Sequence, residues 1–169
     1  DEHDRLTETG IWASKLRLDE PLIIAECLRH GAFPKSDAML LAALVAPFVY
    51  DGDQDISIPE KRVPRRLRQA VTRILSVIKP LMNRMRAAGF AVKRQYFWPA
   101  YVIYDWSRGG RWDDIIGRAG ITDGDMAMLV LRTADNLRQI ASLKDTHPET
   151  AGLAAKAREL ILREPVVFE

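Results

Sequence analysis

The chain holds a single cysteine among 169 residues, so no disulfide can form within it, and a reducing compartment, the cytoplasm, suits it. Cys27 shares a helical apolar pattern with Ile23, Ile24 and Leu28, which reads as buried filler rather than a reactive thiol. Long apolar runs are also missing. The longest, Ala38 to Tyr50, spans 13 residues and contains Pro47. A spanning helix needs about 20 apolar residues, so this run predicts a buried core helix and no membrane association. The opening is acidic, with Asp1, Glu2, Asp4 and Glu8, which excludes a signal peptide in the residues given. The chain also starts without Met, as a fragment of a longer protein would.

Several chemistries lack their residues. No glycine-rich loop ends in Lys-Ser or Lys-Thr, so nothing here cradles a nucleoside triphosphate. His3, His30 and His147 stand alone and show no zinc-ligand spacing. No Gly-x-Ser-x-Gly elbow is present. Asp113 and Asp114 are adjacent, hence on different faces of a helix, and fit the first turn of a short helix better than paired acid–base work. No catalytic and no metal residues are assigned.

Acid is absent from one long stretch. Between Lys61 and Arg94 lie eleven basic residues and no carboxylate, which leaves fourteen basic against twenty-three acidic residues elsewhere. Such a block is either a solvated helix face or a positive surface for a polyanion or an acidic protein. Arg65, Arg66, Arg68 and Arg73 are its candidate contact residues.

What remains is helical punctuation, with 47% apolar residues to build one core. Asp19 suits an N-cap ahead of Glu20 and Pro21, and Gly31 a stop. Ser36 suits the cap of the apolar helix that Pro47 disturbs. Asp51 to Pro64 reads as a surface connection. Leu67, Val71, Ile74, Ile78, Leu81 and Met85 recur at helical spacing from Arg65 to Ala88, and Pro80 predicts a kink or break near Val77. Pro99 opens a helix that stops at Gly109-Gly110, and a short one runs from Trp112 to Arg118, closed by Gly120. Thr122, with Asp125 three residues on, begins a long helix, and a last helix follows His147-Pro148 until Pro165. Gly10 to Leu18 allows a short extended segment. The prediction is all-α: one bundle of about six to eight helices over 1–169. Trp106 and Trp112 fall at apolar spacing and belong to its core.

In the helix from Thr122, about 100° per residue groups Met126, Leu129, Val130, Thr133, Leu137 and Ile140 on one face. Met128, Arg132, Asp135 and Gln139 line the opposite one. This second stripe is either a contact surface or an exposed face on which Arg132 and Asp135 form a weak ion pair.

These pieces, in this order, resemble the DSHCT domain, the C-terminal helical module of superkiller-type and exosome-associated RNA helicases. Leu6-Thr7-Glu8-Thr9-Gly10-Ile11-Trp12-Ala13 looks like its "Leu-Thr-x-x-Gly-Arg-x-Ala" segment, with Ile11 in place of Arg. Leu22, Glu26, Gly31, Phe33, Ala42-Ala43-Leu44 and Phe48-Val49-Tyr50 are similar to the next run. Val102 to Gly109 looks like "Val-x-x-Trp-x-x-Gly", and Asp123-Gly124-Asp125 like "Glu-Gly-Asp/Ser". Arg132, Asp135, Leu137, Arg138 and Gln139 look like "Arg-Arg-x-x-Glu-x-Leu-Arg-Gln".

The resemblance implies an accessory domain of an ATP-dependent RNA helicase, following two ATPase lobes and a winged helix that would bind the ATP and Mg; this fragment itself would carry no cofactor. It implies that the helix from Thr122 is a ratchet helix lining a single-strand RNA channel, with Met128, Arg132, Asp135 and Gln139 toward the strand. Relatives usually carry Arg where this chain has Met128. Two competing readings are a helical protein-interaction or scaffold domain with a basic surface and a helix-turn-helix DNA regulator built on the Trp112 and Thr122 helices.

Overall fold

The computed structural model describes residues 19–167, and within them seven α-helices and one 3-10 turn form an all-α architecture with no strand. The helices are α1 (Pro21–Arg29), α2 (Ala38–Val49), α3 (Arg65–Ala87), α4 (Trp98–Ser107), α5 (Trp112–Ala119), α6 (Asp123–Ala141) and α7 (Pro148–Ile161). The extended segment at Gly10 to Leu18 and the motif at Leu6 to Ala13 lie outside the described residues.

Helix α2 is the axis of the fold. Every residue from Leu40 to Val49 is buried, because α3, α4, α6 and α7 pack around it. A helix apolar on all sides has no other stable place. Its cap is Asp37, which accepts the Leu40 N–H at 3.0 Å; Ser36 stands one residue too early to reach that donor. Pro47 does not end it. The helix continues two residues further, since proline removes only the bond to the Ala43 carbonyl.

Helix α3 is amphipathic and packs its Leu67, Ile74, Ile78, Leu81 and Met82 face on α1 and α2. It runs unbroken through Pro80, so of the kink or break predicted near Val77 the break does not occur. Pro80 and Ser76, the residue whose carbonyl loses its partner, are both exposed, and water can satisfy that oxygen.

Helix α4 ends in a tightly determined corner. Gly109 has φ +92° and lets the chain reverse, so that the Gly110 N–H reaches the Asp105 carbonyl at 3.0 Å. A Cβ on Gly110 would lie 2.7 Å from that carbonyl oxygen and 2.9 Å from Ile115 Cδ1. Gly109 is therefore required by its backbone conformation and Gly110 by packing.

Helix α6 begins with a complete capping box. Thr122 Oγ1 accepts the Asp125 N–H at 3.1 Å, and Asp125 Oδ2 accepts the Thr122 N–H at 3.2 Å. Its apolar face is buried as the periodicity predicts, with Met126, Leu129, Val130, Thr133, Leu137 and Ile140 against α2 and α7.

Candidate nucleic-acid interface

The outer stripe of α6 stays open over most of its length. Met128 is 57% exposed, Asp135 is exposed, and Arg132 and Gln139 are half-buried. Leu131 widens the stripe and is 45% exposed.

Arg132 is its best-fixed member, but not through Asp135. Its Nη2 meets Asp19 Oδ1 at 2.5 Å and its Nη1 meets Asp51 Oδ2 at 2.6 Å. Asp135 instead pairs with Arg138 at 2.6 Å. The ion pair expected between Arg132 and Asp135 is absent. Two loops bring carboxylates to the guanidinium from outside the helix, and Asp135 finds its cation one turn further on. Partial burial pulls the Arg132 pKa down, but the hydrogen bonds from Asp19 and Asp51 outweigh it and the value rises.

Asp19 is itself anchored. Asn136, buried on α6, donates its Nδ2 to Asp19 Oδ2 at 2.8 Å and to the Arg132 carbonyl at 3.1 Å. The N-cap role assigned to Asp19 is thus corrected: Glu20 occupies the cap of α1 without a side-chain bond, because the Asp19 carboxylate is taken up by Arg132 and Asn136. Glu20 is half-buried, and desolvation raises its carboxyl above the usual range against the pull of Lys93.

Asp51 is placed by aromatic packing. Tyr50 stands edge-on to Trp98 at 4.8 Å and to Tyr96 at 6.0 Å, and Trp98 Nε1 donates to the Gln54 carbonyl at 3.0 Å. The loop after α2 is thereby folded against α6. Gly52 permits the fold-back, since a Cβ there would lie 2.3 Å from the Tyr50 hydroxyl. Between loop and helix lies a cavity of about 70 Å³ lined by Tyr50, Asp51, Trp98, Asp125, Met128 and Arg132, with room for a few waters and not for a nucleotide.

The basic block is less uniform than its sequence. Arg66 pairs with Asp37 at 3.1 Å, Arg84 with Glu26 at 3.6 Å, Arg94 with Asp55 at 3.0 Å, and Arg68 with Glu60. Arg73 donates to the Gly31 carbonyl at 2.9 Å. Arg65 keeps an open charge, with no carboxylate partner among the described residues. The neutralising acids come from outside the Lys61–Arg94 stretch, where no local pattern announces them.

Both tryptophans are structural. Trp106 is fully buried and donates Nε1 to the Ile161 carbonyl at 2.8 Å. The Arg163 guanidinium lies 3.3 Å over its ring and donates to the Trp106 and Gly110 carbonyls. Trp112 is half-buried, stands edge-on to Trp106 at 5.4 Å, and donates to Asp123 Oδ1 at 2.7 Å. Trp106 offers no face to a base. Asp113 and Asp114 are exposed in the first turn of α5. Cys27 is fully buried, and desolvation pushes its thiol up to about 12, so it is not a nucleophile at neutral pH. No helix among the described residues is long and apolar enough to cross a membrane.

Asp19, Asp51 and Asn136 are the residues that sequence reasoning missed. Only Asn136 gave a signal, as a polar residue beside the apolar face of α6. The two aspartates lie 113 and 81 residues from Arg132 in the chain, and nothing local ties them to it.

An all-α domain wrapped on one apolar helix, with a capped long helix presenting a polar stripe outward, defines a helical-bundle domain. The chain belongs to the DSHCT (NUC185) domain family, whose model matches residues 3–169. It is also similar to the DExH-box ATP-dependent RNA helicase DExH15, chloroplastic, of Arabidopsis thaliana, 34% identical over 65 residues. That alignment covers 38% of this chain and 6% of the plant protein, so the chain spans a small part of the length of its relative.

Proposed function

We propose that this domain is the C-terminal accessory module of an ATP-dependent RNA helicase, and that the outer stripe of α6 lines the channel for the single strand. ATP and Mg would be bound by the helicase core of the same longer chain, and the protein would act in the cytoplasm. The supporting observation is the orientation of α6: one face is consumed by the core, while Met128, Leu131 and Asp135 stay open beside the held Arg132.

The contact would be weak by construction. Arg132 already has two carboxylates, so a phosphate gains it only by displacing one. Asp51, on an exposed loop, is the exchangeable partner; Asp19, clasped by Asn136, would keep the guanidinium aimed. Met128 supplies no charge. Base-independent, easily released contacts suit an enzyme that passes one nucleotide after another.

The test is Arg132→Ala in the full-length protein. Unwinding falls roughly threefold to tenfold, about the value of one exchanged charge-assisted hydrogen bond, while the circular dichroism spectrum and melting temperature stay close to wild type. Unaltered unwinding removes the assignment.

A further inference from the structure

A second surface lies on the other side of the loop that carries Asp51. Residues 51–64, α3 and the start of α4 enclose a cavity of about 410 Å³. Its floor is Leu67 and Ala100, both buried, and its walls are Ile56, Ile58, Val63, Val71, Phe97 and Tyr101, all half-buried. Unlike the exposed apolar side chains elsewhere, such as Leu22 and Phe90, these residues share one concave surface, and a concave apolar surface is a binding feature. The lining is mixed aliphatic and aromatic, with the buried Trp98 beside Phe97 and Tyr101, and it rewards an aliphatic or aromatic side chain.

The groove runs directly into a polar trough. A neighbouring cavity of about 430 Å³ is lined by Glu60, Arg65, Arg68, Gln69 and Thr72, so Arg68 and Thr72 border both. The carboxylates at this rim are engaged, Glu60 by Arg68 and Asp55 by Arg94. Lys61, Arg62 and Arg65 are exposed at the same end and meet no carboxylate among the described residues. The mouth is therefore positive where the floor is apolar.

One wall also has a backbone to offer. Residues 53–58 make no backbone–backbone hydrogen bond among the described residues, while Ile56 and Ile58, two apart, line the groove and Ser57 between them is exposed. The side chains thus alternate between groove and solvent along this segment, which is not itself a strand. Apart from the Gln54 carbonyl, which Trp98 Nε1 occupies, an extended chain laid beside it would find backbone groups without a backbone partner as well as the apolar floor.

We infer that this groove docks a short extended segment of a protein partner, with an apolar core seated on Leu67 and Ala100 and acidic residues over Lys61, Arg62 and Arg65. The site lies across the Asp51 loop from the α6 stripe, the buried Trp98 bordering both cavities, and it stands whether or not α6 touches RNA.

The experiment is fluorescence anisotropy with the full-length protein and a fluorescein-labelled peptide in which a run of Asp and Glu precedes a Phe-Leu-Leu core. Controls are the same acidic run without the apolar core, and a short oligouridine. The peptide binds in a salt-sensitive manner. Val71→Glu, which places a charge in the groove wall, weakens it about tenfold or more. Arg65→Glu, at an exposed position that folding does not need, weakens it about threefold to tenfold and flattens the salt dependence. Arg132→Ala leaves it unchanged. The inference is overturned if the peptide does not bind, or if the core-free acidic peptide binds equally well. It is also overturned if neither groove variant matters, or if oligouridine displaces the peptide and responds to Val71→Glu in its place.

Discussion

Two charge clusters in this molecule are near mirror images, and they behave differently because of where they sit. At the end of α4, one carboxylate serves two arginines: Asp105 takes Arg108 at 3.0 Å and Arg118 at 2.5 Å, with its own side chain 13% exposed. On α6, one arginine serves two carboxylates: Arg132, 27% exposed, holds Asp19 and Asp51. The first cluster joins α4 to α5 beside the fully buried Trp106, and its shared ion is mostly buried beneath its two arginines. The second bridges two loops, and Asp51 is 72% exposed. A closed cluster with its shared ion inside fixes a corner of the fold. An open one with an exposed outer partner can trade that partner for another anion. The difference lies in burial rather than in the kind of residue.

The comparison predicts unequal costs. Removing the aromatic centre of the closed corner is the largest. Trp106→Ala takes away a buried ring, the bond to the Ile161 carbonyl and the platform under Arg163, and costs about 3–5 kcal/mol in urea unfolding. A loss under about 1 kcal/mol would mean that the corner is not a determinant of the fold. Next is Asp105→Asn, which leaves two arginines without their shared charge and costs about 1–3 kcal/mol by the same measurement. If it proves neutral, the two clusters are equivalent and the contrast fails.

The smallest effect belongs to the open cluster. Asp51→Asn changes stability at neutral pH by about 0.5 kcal/mol or less, given its exposure. Its signature lies in the pH dependence. The hydrogen bond from Arg132 holds the Asp51 carboxyl below its ordinary range, so its contribution is present above the unfolded value near 4 and is lost as pH falls through the depressed value. Glu26, lowered chiefly by its bond from Arg29, acts in the same sense. Glu20, raised by burial, acts oppositely and loses stability as pH rises through its elevated value. Melting curves between about pH 5 and pH 2 therefore show a shallower acid limb in Asp51→Asn than in wild type. Identical limbs would show that Asp51 does not hold Arg132 in solution.

Much of the fold was legible residue by residue. The Thr122–Asp125 box, the apolar face of α6 and the wholly apolar run of α2 each declare an element and its buried side, since they depend only on neighbours within one or two turns. Misreadings arose wherever a side chain had a choice of partners. Asp19 had a cap within reach and went to Arg132; Ser36 yielded to Asp37; Pro80 sat inside an unbroken helix, with Ser76, whose carbonyl it leaves unpaired, exposed to water. The stripe of Met128, Arg132, Asp135 and Gln139 was visible as a face, but the partners of Arg132 were not, because they arrive from loops distant in the chain.

The sequence by itself determined the helices, the Thr122–Asp125 capping box, the glycine stops and which face of each helix seeks the interior, because those follow from periodicity and local hydrogen bonding. Only the tertiary structure decided how charge is shared. It neutralised part of a basic block with acids from other segments, set one arginine between two loop aspartates, and left an apolar groove beside a positive rim. Ion pairing and grooves depend on distances between segments remote in sequence, and no local pattern encodes those.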